Sequence, residues 1–230
     1  MHVVTLSFDD GFERSSRATA EIFEHHGLVA ELNVLATNLG GTRDAWHRWP
    51  KGDFDLWNEL RARGHRVMPH GYRHANKAEL PLVGARRLIE RCLEVFTAEL
   101  EGFDPSHSSF AFPYNSSTPE LETWLGGRIR AFRTRGHGVM PPPRPGQRRV
   151  TCTGFGPGRA DEHLVRAIES FLDGPSGWLC YNLHGLDDEG WGPVGSDTLD
   201  GMLELLGARG VPVLPITDAL DLAVVSGLPT

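Results

Sequence analysis

Short apolar, β-branched runs alternate with amphipathic stretches from one end of this chain to the other, and nothing else in the sequence restricts the fold as much. His2-Val3-Val4-Thr5-Leu6 has the composition of a buried strand. The same signal predicts strands over residues 29–35, 65–68, 109–112, 129–134, 150–155, 178–183 and 211–216. Helices are predicted between them, over residues 15–26, 56–62, 82–100, 119–125, 161–172 and 198–206. The clearest is 82–100, where Leu88, Ile89, Cys92, Leu93, Phe96 and Leu100 recur at helical spacing as one apolar stripe. Such alternation implies a mostly parallel sheet with helical crossovers. At 230 residues the chain suits a single domain, residues 1–230, with a core large enough for one α/β barrel.

Composition narrows the partners. A formal net charge of -7 argues against a nucleic-acid surface or an anionic membrane as partner. No apolar run approaches the ~20 residues of a membrane span. The chain enters its first strand with no basic-then-apolar leader, which predicts a cytoplasmic protein. Cys92 falls on a helical stripe and Cys180 in an apolar strand, so with Cys152 the expectation is buried free thiols.

The strand ends carry the chemistry. Asp9-Asp10, His70, Pro113-Tyr114 and His184-Gly185 each fall just past a predicted strand. In a β/α barrel those ends share one face, where the active site is built. Neighbouring strand residues point to opposite faces, so Asp9 and Asp10 are unlike in role: one suits a metal ligand and the other a general base. His70 and His74 are four apart where a turn of helix can begin, which puts both imidazoles on one face. With Asp10 they make a His₂Asp set, the ligand count of a catalytic zinc with an open position for water. Asp9 is then placed to take a proton from that water and His184 to give one to a leaving group. Taken singly, each strand-end histidine is as well explained as a structural or solvated residue; it is the coincidence of four strand ends that favours a site.

Ser7-Phe8-Asp9-Asp10-Gly11, His70-Gly71-Tyr72-Arg73-His74, Ala111-Phe112-Pro113-Tyr114 and Asn182-Leu183-His184-Gly185 resemble, in order, the T-F-D-D-G, H-[ST]-x-x-H, R-x-P-Y and L-x-H motifs of the polysaccharide deacetylases, carbohydrate esterase family 4. The resemblance implies a distorted (β/α)7-type barrel with its active site at the C-terminal strand ends. It implies Asp9 as base, Asp10, His70 and His74 as ligands of one divalent metal, and His184 as acid. The metal expected is Zn²⁺, with Co²⁺, Ni²⁺ or Mn²⁺ as alternatives. The Tyr114 backbone N–H would stabilise the oxyanion. Trp191, Pro113 and Tyr72 are the candidates for substrate contact, and Trp46 and Trp49 are either sugar-stacking or loop-anchoring.

Three positions depart from the pattern. Residue 71 is Gly where the motif has a hydroxyl, and no Asp-Trp pair supports the acid histidine. Ala111 replaces the arginine that orients the base, as in a branch of the family with F-A-[YF]-P-[YF], which Phe110-Ala111-Phe112-Pro113-Tyr114 resembles. That branch draws its arginine from a later strand. Arg149 is the expected substitute, from the resemblance of Arg149-Val150 to the branch's Arg-hydrophobic pair, with Arg135 next in line. The implied reaction is removal of an N-acyl group, acetyl first, from an amino-sugar-containing substrate. Two alternatives remain: hydrolysis of a small linear or cyclic non-sugar amide on the same site, and a catalytically silent metal- or glycan-binding relative.

Overall fold

In the computed structural model, which describes residues 1–37 and 49–225, seven strands run parallel. They are β1 (Val3–Asp9), β2 (Glu31–Val34), β3 (Arg66–Pro69), β4 (Ser109–Ala111), β5 (Ala131–Arg135), β7 (Arg149–Gly154) and β8 (Trp178–Leu183). Their order across the sheet is β3-β2-β1-β8-β7-β5-β4, and the short β6 (Val139–Met140) lies antiparallel on β8. The sheet curls into a nearly closed barrel. Across the remaining gap, His70 Nδ1 meets the Ala111 carbonyl at 3.0 Å, joining the end of β3 to the end of β4. The helices are α1 (Glu13–His25), α2 (Phe54–Ala62), α3 (Leu82–Glu99), α4 (Pro119–Gly126), α5 (Ala160–Leu172), α6 (Ser196–Ala208) and α7 (Ile216–Val225). No described helix is long and apolar enough to cross a membrane.

Strand alternation divides the interior in two. Val4, Leu6 and Phe8 of β1 turn outward into the main apolar layer against the helices, with Phe23, Leu32, Ile89, Phe96, Phe132 and Leu164. Their neighbours Val3, Thr5, Ser7 and Asp9 alternate with them and turn toward the barrel axis. The N-terminal end of the barrel is closed by a smaller apolar cluster of Val3, Ala131, Val150, Trp178 and Cys180 with Ile216 and Leu220 of α7. Above that plug the axis is polar, and Ser7, Glu31, Asn33 and Arg133 are all buried.

Two expectations change here. The predicted final strand, residues 211–216, makes only one isolated bridge, Val213 with Val4. β2 pairs with β1 only from Ser7 onward, so residues 212–214 fill the open side of β1 at Val4. Pro212 and Pro215 have no N–H with which to continue a ladder. The chain then enters α7, a helix not anticipated from sequence. The three cysteines are free and buried, as expected. Trp46 lies outside the described residues.

Candidate active site

Asp9 ends β1 and Asp10 begins the turn into α1. Asp10 takes a positive φ of 77°, a conformation that costs a non-glycine residue energy and persists where the surroundings impose it. Its Oδ1 lies 3.6 Å from His70 Nε2 and 3.5 Å from His74 Nε2. One donor atom from each of Asp10, His70 and His74 falls within 4.8 Å of the others. Ligands at ~2.0–2.1 Å in a tetrahedral arrangement stand about 3.3 Å apart, so the two closest separations fit a shared ion. The donor chemistry fits as well. With Nδ1 of His70 directed at the Ala111 carbonyl, Nε2 is left to face Asp10. Burial, with lesser contributions from His74 and Arg133 against the pull of Asp9, drives the His70 pKa down to about 3. The ring is therefore neutral, the form a metal takes.

Asp9 is held differently. Asn33 Nδ2 donates to its Oδ1 at 3.2 Å, and Arg133 Nη2 donates to its Oδ2 at 2.5 Å. Burial alone would raise the carboxyl pKa; Arg133, His70 and His184 outweigh it, and the net shift is downward. Arg133, wholly buried, is thus the arginine that pairs with Asp9, and the expectation for Arg149 is corrected. Arg149 pairs with Phe132 in register, on the outer face, where its Nε meets Glu122 of α4 at 3.0 Å and its Nη2 the Arg135 carbonyl. Arg133 pairs with Val150 on the inner face. Arg135, the runner-up, lines the mouth of the cleft and is exposed. The signal for Arg133 is a charged residue in mid-strand, one step from Phe132, in a strand whose opposite face is apolar.

His184 follows β8, partly buried, with its pKa lowered chiefly by desolvation against the opposing pull of Asp10 and Asp9. Trp191 stands edge-on to it, ring centroids 4.9 Å apart, with 47% of the residue exposed. Tyr114 has a positive φ of 60°, and its ring packs on His74 at 4.4 Å. These residues line one open cleft of about 1020 Å³ that also takes in Asp9, Asp10, Asn115, Phe155 and Asn182. Trp49 lines it too, and its indole N–H is anchored to the Asp188 carbonyl at 3.0 Å, the loop-anchoring role of the two expected.

Two expected substrate contacts lie elsewhere. Tyr72 packs against the outer apolar layer and its phenol meets Arg91 of α3. Pro113 is buried behind the loop that carries the histidines, against Gly71. Neither is among the residues lining the cleft. The acidic run Asp187-Asp188-Glu189, which reads from sequence as a solvated loop, is only partly so. Glu189 is 1% exposed, and its Oε2 accepts from the Ser15 N–H in the first turn of α1 at 2.5 Å. The segment after His184 is thereby tied to the segment after Asp10.

A family model described as polysaccharide deacetylase matches residues 1–126. The chain belongs to the polysaccharide deacetylase family. Comparison with curated proteins gives no match. Among solved structures, the peptidoglycan deacetylase PdaC of Bacillus subtilis aligns with 98% of this chain and 93% of its own at 13% identity and a TM-score of 0.60. A family 4 acetyl xylan esterase from Clostridium thermocellum, solved with a cobalt ion, aligns with 99% and 93% at 17% identity and a TM-score of 0.66. BA3943 of Bacillus anthracis, described as a family pseudoenzyme, aligns with 95% of this chain and 65% of its own at 16% identity and a TM-score of 0.63. At these identities the likeness is one of fold, and the fold is the family's seven-stranded barrel.

Proposed function

We propose that this chain hydrolyses an acyl group, acetyl first, from an amino-sugar-containing substrate. The observation that carries the reading is the convergence on one cleft of a three-donor set, an arginine-braced carboxylate and a partly buried histidine. Asp10, His70 and His74 would hold one divalent ion, Zn²⁺ by the character of two imidazoles and a carboxylate. When bound, such an ion lowers the pKa of water and polarises an acyl carbonyl.

The remaining work belongs to the chain's own groups. Asp9 is ionised near neutrality and fixed at both oxygens, so it is oriented to take the proton of the attacking water. The Tyr114 backbone N–H is the donor offered to the oxygen on which charge develops. His184, whose lowered pKa leaves the ring mostly neutral at rest, takes over from Asp9 the proton drawn from the water and passes it to the leaving nitrogen, which returns Asp9 to the carboxylate. Trp191 and Phe155, both exposed in the cleft, give apolar faces for a sugar ring or an acyl methyl.

The size of the cleft supports an extended carbohydrate over a small cyclic amide, which would fill only a fraction of it. The fold is shared by a peptidoglycan deacetylase and an acetyl xylan esterase, so both amide and ester linkages belong in the test. Acetate release is to be measured from N-acetylglucosamine oligomers and O-acetylated xylan oligomers, and ring opening from a cyclic imide. Release from the N-acetylated sugars ahead of the other two supports the proposal; turnover of the imide alone would replace it with the small-amide alternative.

A further inference from the structure

Lys77 is a lysine in an unusual place. It comes just after the histidine-bearing loop, at the start of a short 3-10 turn (Lys77–Glu79), and it is wholly buried. Among the described residues it forms no ion pair. Its Nζ donates instead to two main-chain carbonyls, Ala75 at 3.0 Å and Arg73 at 3.4 Å. Those two residues flank His74. One ammonium group therefore pins the backbone on both sides of the outermost metal-ligand candidate, whose side chain is 16% exposed against 1% for His70.

The seat of that ammonium is explained by Gly71. A Cβ at residue 71 would stand 2.8 Å from Lys77 Nζ and 3.4 Å from Pro113 Cγ, and Gly71 has a φ of 110°. Any side chain there would meet the lysine head. Gly71 thus departs from the motif, where a hydroxyl-bearing residue stands, in the one way that leaves room for Lys77. The glycine is itself held, its carbonyl accepting from Ala36 N–H at 3.0 Å and its N–H directed at Cys92. A buried ammonium without a carboxylate is costly to keep, and burial does push its pKa down to about 8. A stability role alone would be filled better by an apolar side chain.

We propose that Lys77 is a positioning residue: seated in the space left by Gly71, it clamps the Arg73 and Ala75 carbonyls and so holds His74 in place to complete the Asp10–His70–His74 donor set. This rests on the metal site proposed above. Groups that orient metal ligands from outside the coordination shell affect metal affinity by about 10–100-fold when removed.

Lys77→Met keeps the apolar stem and removes the donor. Zn²⁺ affinity is to be read by competition with a chromogenic chelator, with thermal denaturation of the metal-free protein alongside. The expected result is ~10–100-fold weaker Zn²⁺ binding by Lys77→Met. Leu164→Ala, a core truncation in α5, should lower the thermal midpoint yet leave Zn²⁺ affinity within about two-fold, because distant sites act independently. Lys77→Leu, a second removal of the ammonium, should weaken binding by a similar factor. Either variant decides the matter if the other fails to fold. Wild-type Zn²⁺ affinity in Lys77→Met or in Lys77→Leu overturns the clamp while leaving the metal site standing. A wild-type chain that takes up no Zn²⁺ overturns the metal site itself and the clamp with it.

Discussion

Replacing Arg133 by Met should destabilise the metal-free protein in a pH-dependent way. The arginine is wholly buried, and Asp9, 3% exposed, is its only carboxylate contact among the described residues. A methionine stem fills much of the same volume, so the principal loss is electrostatic. Breaking a buried pair by removing one partner costs about 3–5 kcal/mol. In a chain of this size each kcal/mol moves the thermal midpoint by roughly 2–4 °C, which gives a drop of ~6–20 °C near neutral pH. The sign with pH is set by Asp9. In the wild type burial raises its pKa, but Arg133, His70 and His184 bring the net value below that of the unfolded chain. Asp9 therefore contributes stability above the unfolded value, about 3.9, and loses it as pH falls through the lower folded value. Without Arg133 the burial penalty dominates, the folded pKa lies above the unfolded one, and the penalty is full at neutral pH and relieved as Asp9 protonates. Denaturation midpoints of variant and wild type should thus differ widely at neutral pH and converge toward acid pH. Equal midpoints at neutral pH, or a deficit that does not narrow on acidification, would refute the reasoning. Arg133→Lys should recover little, since one ammonium cannot reproduce the guanidinium geometry.

Other perturbations separate the roles assigned to neighbouring residues. His184→Ala should slow turnover by roughly 10²–10⁴-fold with metal content unchanged, read by acetate release beside elemental analysis. Glu189→Ala leaves the Ser15 N–H in the first turn of α1 without its acceptor and should cost about 1–3 kcal/mol in chemical denaturation. Asp188→Ala, at an exposed ion pair with Arg14, should fall within about ±0.5 kcal/mol in the same assay. Arg149→Ala removes a half-exposed pair with Glu122, so a stability loss of only ~0–1 kcal/mol and near-normal turnover are expected.

What the sequence makes legible, it does through local chemistry. Asp9-Asp10, the four-residue spacing of His70 and His74, and His184 each come after an apolar strand, and a parallel barrel necessarily gathers such ends on one face. Arg133 is hidden because its partner is set by the pairing of strands far apart in the chain. Its mid-strand place beside Phe132 is the one local hint, and the register of β5 with β7 decides which of Arg133, Arg135 and Arg149 turns inward. Glu189 is hidden for the same reason. Its burial comes from α1, 174 residues earlier, while its neighbours Asp187 and Asp188 really do sit on the surface side of that loop. Tyr72 shows the limit of carrying a role across a motif. It lies between His70 and His74 in sequence, yet the turn that brings those two rings together directs the residue between them to α3. The last segment reads as a strand but makes only one bridge to β1, because Pro212 and Pro215 have no N–H with which to extend a ladder.

The roles proposed for the site turn on the division of labour between the adjacent aspartates, and one paired measurement tests it. Bound metal and acetate release from N-acetylglucosamine oligomers are to be determined together for wild type, Asp9→Asn and Asp10→Asn. The expected result is one divalent ion in the wild type, the same ion in Asp9→Asn with turnover reduced ~10²–10⁴-fold, and loss of the ion in Asp10→Asn. Loss of metal from Asp9→Asn with retention in Asp10→Asn would reverse the two roles, and undiminished acetate release by Asp9→Asn would remove it as the base.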